Sequence, residues 1–373
     1  MRQIETALTR SPVVALLGPR QCGKTSISRL FPAVARFELD RSSDAQALAT
    51  APEATLGPLE GLVVLDEVQQ MPSLFPVLRT LVDRPASATR FLVLGSASPD
   101  LLRNTSETLA GRVAFVQLGG FDITEVGSEH MARLWHRGTF PRSFLAADDG
   151  ASYAWRQDFV ETFLSRDAAQ FGIRMPPVTL RRFWTMLAHS HGSEQNCSEL
   201  ASAFGIDQKT ARHYVDILVG TYLVRRLPPW FVNTRKRLVK SPKLYLRDSG
   251  LLHALLGLRD SAEILTNPRF GHSWEGFAIE HVIAAMQAEH EACFWAAHSG
   301  PELDLLVPRA GRLYGFECKY ADAPVITRSM QQAIEILGLE QLFVVVPGGR
   351  SVELAPRIRV LPMAQVQAEL AGL

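Results

Sequence analysis

The chain has 373 residues, a hydrophobic fraction of 47%, a charged fraction of 21% and a formal net charge of +1. That length allows two or three separately packed domains, and so neutral a balance excludes a global field for nucleic acid or membrane, leaving only local basic surface. No apolar run is long enough for a membrane span, Met1-Arg2-Gln3-Ile4-Glu5 lacks a secretory pattern, and Cys22, Cys197, Cys293 and Cys318 show no C-x-x-C spacing, so a cytoplasmic protein without disulfides or structural zinc is expected.

The first part alternates short apolar runs with helical patterns, which predicts an α/β domain on a mostly parallel sheet. Buried strands are expected at residues 13–17, 35–40, 62–66, 90–95 and 113–118. Between the first strand and a helix-competent stretch stands Gly18-Pro19-Arg20-Gln21-Cys22-Gly23-Lys24-Thr25, followed by Ser26. Phosphates need several backbone N–H groups aimed at one spot, and a glycine-rich turn entering a helix supplies them. The G-x-x-x-x-G-K-[ST] spacing therefore assigns nucleotide binding to residues 18–26, with Lys24 neutralising the β and γ phosphates and the Thr25 hydroxyl ligating Mg²⁺.

The strand at 62–66 ends in adjacent carboxylates. Asp66 is expected to hold the metal and Glu67 to polarise the attacking water. The strand at 90–95 runs into Ser96, a candidate contact for the γ-phosphate or the water, and Gly111-Arg112 leads directly into the strand at 113–118. Together these features predict binding and hydrolysis of ATP with Mg²⁺.

Residues 127–180 read as a helical lid. From about residue 181 the texture changes: Leu200, Ala201, Phe204, Ile206, Ala211, Val215 and Leu218 fit a helix-turn-helix core around Gly205, and an extended stretch from Tyr222 would serve as a wing. Lys209, Arg212 and His213 fall on its second helix, and residues 233–243 hold five basic residues in eleven, including Arg235, Lys236, Arg237 and Lys240. Such a winged-helix domain over 181–258 is suited to DNA phosphates, and equally to protein contacts.

The last part, 259–373, predicts another α/β unit. Glu317 and Lys319 lie two apart on a strand and share a face, and Asp304 joins them from the strand before. Asp304 and Glu317 would hold Mg²⁺, Lys319 would position water, and Glu275 or Glu280 from the preceding helix would complete the site, Glu280 being the one expected.

The order glycine loop, Asp-Glu strand, hydroxyl-tipped strand and Gly-Arg resembles AAA-type ATPases. GPRQCGKT, LDEVQ, LGSAS and LAGRV are similar to the ATPases that join an AAA domain to a DUF4143 domain. FLSRD at 163–167 and KLYLRDSGL at 243–251 extend the likeness through the second half. By this resemblance the 1–126 segment is the ATPase domain, and Arg112 stands where AAA proteins carry an arginine finger that completes a neighbour's site. A homo-oligomer such as a hexameric ring is thereby implied. Arg142 in GTFPR would be a second phosphate sensor, and the E-x-K constellation resembles the PD-(D/E)xK nuclease fold. The expected function is ATP-driven remodelling of DNA, with two alternatives: an ATP-regulated nuclease, and a regulatory ATPase with a protein partner.

Overall fold

The computed structural model describes residues 1–85, 88–96 (without the Ser96 side chain), 105, 107–230, 241–297 and 300–373. Two compact units result: residues 1–120 with Gly220–Tyr222, and residues 121–219 with 223–373.

The first unit is built on β1 (Val13–Gly18), β2 (Ala35–Glu38), β3 (Leu62–Asp66), β4 (Arg90–Ser96) and β5 (Val113–Gln117), in the order β2-β3-β4-β1-β5 with every pairing parallel. Parallel central strands are covered on both faces, so they read as unbroken apolar runs, and every residue of β1 is buried. Side chains alternate between the two faces. Val13, Ala15, Leu17, Val63, Leu65, Phe91 and Val93 pack on Leu74, Phe75 and Leu78 of the helix Leu74–Val82. Val14, Leu16, Val64, Leu92, Leu94, Ala114 and Val116 pack on Ile4 and Ala7 of the helix Arg2–Arg10. Each such buried aliphatic side chain contributes about 1.5–3 kcal/mol, so the two cores hold the carboxyl ends of β1, β3 and β4 in fixed register.

In the second unit, the helix Pro177–His189, β6 (Ser193–Glu194), the helices Cys197–Phe204 and Gln208–Gly220, β7 (Val224–Leu227) and β8 (Lys243–Leu246) follow in chain order, the strands forming an antiparallel sheet in the order β6-β8-β7. The turn between the second and third of these helices is set locally. Gly205 closes one helix at φ 61°, a left-handed conformation that favours glycine, and Asp207 Oδ1 accepts the Thr210 N–H at 2.9 Å to start the next.

The remainder is the helix Phe270–Met286, then β9 (Cys293–Ala296), β10 (Glu302–Arg309) and β11 (Arg312–Cys318), the helix Arg328–Leu337, β12 (Gln341–Val346), β13 (Glu353–Ala355) and β14 (Ile358–Pro362). Its sheet runs β13-β14-β12-β11-β10-β9, with β9, β10 and β11 antiparallel and β12 parallel to β11. The edge strand β13 and its neighbour β14 had no counterpart in the sequence reading.

Two segments singled out by resemblance meet inside this unit. The Asp248 carboxylate accepts the Thr139 N–H at 2.6 Å and the Leu251 N–H at 2.7 Å. A Cβ on Gly138 would fall 2.3 Å from Asp248 Oδ1, and one on Gly250 would fall 2.2 Å from the Arg137 carbonyl oxygen. GTFPR and RDSGL are therefore a packing lock. FLSRD forms a single π-helical turn, Phe163–Asp167. Among the described residues no helix is long and apolar enough to cross a membrane.

Candidate functional site

The glycine loop leaves the carboxyl end of β1. Gly18 is required there by close packing, because a Cβ would sit 2.1 Å from the Leu118 carbonyl oxygen. Gln21 at φ 63° and Gly23 at φ 105° turn the backbone through left-handed conformations into the short helix Lys24–Ser28, the kind of alternation that gathers N–H groups around an anion. Lys24 is buried and its ammonium donates to the carbonyl oxygens of Gly18 at 3.0 Å and Pro19 at 2.8 Å. Pro19 and Cys22 are buried, whereas Gln21 and Ser26 are exposed. Burial holds the Cys22 thiol above its ordinary range, so it is a packing residue and not a reactive one.

The acidic strand end meets this loop as the spacing requires. The Thr25 hydroxyl donates to Asp66 Oδ2 at 2.7 Å, and Asp66 Oδ1 accepts the Glu67 N–H at 2.9 Å. A hydroxyl and a carboxylate converging at a phosphate loop are hard oxygen donors of the kind Mg²⁺ takes together with substrate phosphates and water, so these residues fit that ion. Glu67 itself adopts φ 55°, a conformation uncommon for a residue with a side chain, and its Oε2 accepts from the Gln69 side-chain amide. Gln69 is a residue the sequence reading quoted inside LDEVQ without giving it a part.

The parallel register places Ser96 opposite Gly18, at the carboxyl end of the strands where the loop begins. Arg112 is at the opposite, amino end of the strands, since Val13 pairs with Val113 at the start of both. At ~3.3 Å per residue, the length of β1 keeps it about 16 Å or more from its own loop. Its guanidinium makes a two-pronged ion pair with Asp83 at 2.6 and 2.9 Å and also donates to the Ala110 carbonyl oxygen at 3.0 Å. Arg142 is exposed on the short helix Pro141–Phe144. Lys209, Arg212 and His213 are exposed on the helix Gln208–Gly220, while Arg235, Lys236, Arg237 and Lys240 lie outside the described residues.

In the second unit a cavity of about 380 Å³ is lined by Glu194, Glu275, Glu302, Asp304 and Glu317 together with Lys243 and Lys319. The pairing of Leu305 with Phe316 brings Asp304 and Glu317 side by side, and Lys319 Nζ stands 2.8 Å from Glu317 Oε1. Asp304 Oδ2 accepts the Cys318 N–H at 2.8 Å. Burial, reinforced by the charge of Asp304, pushes the Glu275 carboxyl up to about 8 and that of Glu317 up to about 7.

Two expectations are corrected here. Glu280 does not belong to this site: it is buried against Arg225 and Arg247. The helix member that lines the cavity is Glu275, which accepts the Tyr245 O–H at 2.6 Å. The two lie five positions apart, about 140° around the helix, and so cannot both face one pocket. The second correction concerns the metal at Asp304 and Glu317. Among the described residues no three His, Cys, Asp or Glu side chains are grouped as a metal ion needs. Instead, Lys243 from β8 enters the cavity, ion-paired with Glu302 and 3.6 Å from Glu275. The residues as arranged do not fit Mg²⁺.

Residues 10–127 match the profile of a family described as an AAA domain, residues 270–366 that of a domain of unknown function, DUF4143, and residues 128–262 that of another, DUF8612. Over 367 residues the chain is 47% identical to Uncharacterized protein Rv2008c of Mycobacterium tuberculosis and to Uncharacterized protein Mb2031c of Mycobacterium bovis, spanning 98% of this chain and 83% of each of theirs. Among solved structures, the Bacillus subtilis DNA clamp loader delta protein (YqeN) matches at 12% identity and a TM-score of 0.26, over 58% of this chain and 86% of that one. Protein VC1899 from Vibrio cholerae matches at 12% identity and a TM-score of 0.20, over 97% and 96%. At such TM-scores neither bears on function.

Proposed function

We infer that this chain, which belongs to the family joining an AAA domain to the DUF4143 domain, is an ATP hydrolase that acts on DNA. The observation that carries the hydrolase reading is the Thr25–Asp66 hydrogen bond of 2.7 Å, which ties the glycine loop to the acidic strand end. In hydrolysis Lys24 leaves the carbonyl oxygens of Gly18 and Pro19 for the β and γ phosphates, and the loop amides hold their oxygens. Thr25 and Asp66 would hold Mg²⁺, which would neutralise charge on the phosphate oxygens. Glu67 polarises the attacking water, with Gln69 as the positioning residue for its carboxylate. Ser96 stands beside the loop to meet the γ-phosphate.

Arg112 cannot reach its own site, so its part is in trans, in a homo-oligomer, after release from Asp83. DNA contact is supported by the helix-and-strand order of 177–246, which suits a winged helix presenting exposed Lys209 and Arg212. The order helix, three antiparallel strands, helix, parallel strand in the last part suits a PD-(D/E)xK-like fold used for contact.

The test is ATP turnover of the full chain and of Glu67→Gln, with and without single-stranded, duplex and branched DNA. We expect Glu67-dependent turnover stimulated by one DNA form, and weaker, less salt-sensitive DNA binding in Lys209→Glu/Arg212→Glu. Turnover indifferent to every DNA would replace the DNA reading by a protein partner, and turnover unaffected in Glu67→Gln would remove the hydrolytic assignment.

A further inference from the structure

The carboxylate cavity of the second unit holds a cation already, and that cation comes from outside the strands that build it. Lys243 opens β8, the central strand of its sheet, with main-chain partners on both sides: Glu194 in β6 and Leu227 in β7. Its backbone is therefore fixed, and only side-chain rotation can move the amine. Strand alternation sends Lys243 and Tyr245 the same way, and both end on Glu275. The ammonium also pairs with Glu302 and lies 5.3 Å from the centre of the Phe294 ring.

Lys243 and Lys319 line the cavity beside Glu194, Glu275, Glu302, Asp304 and Glu317, so any added cation must share these carboxylates with them. A second observation points to such a cation. Glu317 is 6% exposed and lines the cavity, yet its Oε2 is buried with no hydrogen-bond partner. A buried acceptor with nothing to accept from is costly unless a cation or donor reaches it. Lys319 serves the other oxygen, Oε1, and Lys243 is engaged with Glu302 and Glu275.

We propose that the Lys243 ammonium is the resident cation of this cavity and competes with a divalent metal ion for it, keeping a nuclease-like carboxylate site metal-poor in the resting chain. A metal ion reaches Asp304 and Glu317 only in the fraction of molecules whose Lys243 has swung out, and apparent affinity falls by that fraction. The inference does not depend on the reading of the nucleotide site.

Mn²⁺ binding to the full chain, followed by electron paramagnetic resonance without nucleotide, tests it. Each protein is paired with its Asp304→Asn version, so that only Asp304-dependent binding is counted and any Mn²⁺ at Thr25 and Asp66 cancels. Lys243→Gln should bind this Mn²⁺ roughly tenfold or more tightly than the wild type, while Lys243→Arg, which keeps the charge, should stay at the wild-type level. If Lys243→Gln does not fold, Lys243→Met retains the aliphatic contact with Phe294 and serves in its place. Equal affinity in the wild type and the neutral variant would overturn the proposal, as would absence of Asp304-dependent binding in the neutral variant. Low-micromolar, Asp304-dependent binding by the wild type alone would overturn it without any Lys243 variant.

Discussion

Glu280→Gln separates a structural carboxylate from a site carboxylate, and its effect can be worked out beforehand. Arg225 is 6% exposed as a side chain and Glu280 15%, with Arg247 and Glu289 closing a four-membered network that ties β7 and the end of β8 to the helix Phe270–Met286. Burial alone would raise the Glu280 carboxyl, but Arg225 and Arg247 overcome it and hold it at about 2, against 4.5 ordinarily. That difference of about 2.5 units, at about 1.4 kcal/mol each, is ~3 kcal/mol of stabilisation of the ionised form, the same order as breaking a buried pair from one side. The sign follows from a depressed carboxyl: the contribution is complete above pH 4.5 and is lost as pH falls toward 2. All six tryptophans, Trp135, Trp155, Trp184, Trp230, Trp274 and Trp295, belong to the second unit, so tryptophan fluorescence during urea unfolding reports that unit alone. The glutamine variant should lose about 3 kcal/mol at pH 7, and the deficit should narrow below pH 4.5. A loss under about 1 kcal/mol at pH 7 would refute the assignment of a structural role to Glu280.

Three further outcomes are expected. Gln69→Ala should lower ATP turnover about tenfold with KM unchanged, because it orients Glu67 without touching nucleotide; a change confined to KM would show that it acts on binding. Gly18→Ala forces a Cβ against the Leu118 carbonyl oxygen, so the first unit should lose about 1–3 kcal/mol or more, read as faster amide exchange in β1, and ordinary protection there would contradict the close approach. His253 is buried and neutral, its ring held near 3 first by burial; the unfolded chain takes up its proton as pH falls below 6.5, so stability is full above 6.5 and is lost toward 3. The raised carboxyls of Glu275 and Glu317 act in the opposite direction, so the measurable quantity is wild type minus His253→Gln, which should fall by roughly 2 kcal/mol between pH 7 and 5; an unchanged difference would mean that the ring is already charged in the folded chain.

How far the sequence was legible follows from where each interaction is made. The glycine loop and its meeting with Asp66 were legible because that geometry is local. Gly18 and Lys24 sit on one short loop, and the long-range partner, Asp66, is announced by an apolar strand, β3, that runs parallel to β1 across β4 and ends at the same end of the sheet. Arg112 was harder: its position at the strand start follows from the pattern, but its engagement with Asp83 depends on a loop-to-loop contact that no periodicity encodes. The choice between Glu275 and Glu280 failed for a different reason. The helix Phe270–Met286 is buried on nearly every side, so it has no polar stripe to say which face a carboxylate shares with Asp304.

Lys243 shows the same limit from the basic side. Read in sequence, it closes a run of cations suited to phosphate. In the fold it begins a strand whose four residues are all buried, and a buried ammonium is tolerated only opposite carboxylates. The one signal that could have separated it from Arg235 or Lys240 is the alternation in Lys243-Leu244-Tyr245-Leu246, which pairs the lysine with a buried tyrosine on the same face. A cation that shares a strand face with a core aromatic is placed by the core, and its counter-charges must then be sought among the carboxylates of the facing element. That rule, applied to this strand, leads to Glu275 and from it to the cavity where Lys243 stands in for a metal ion.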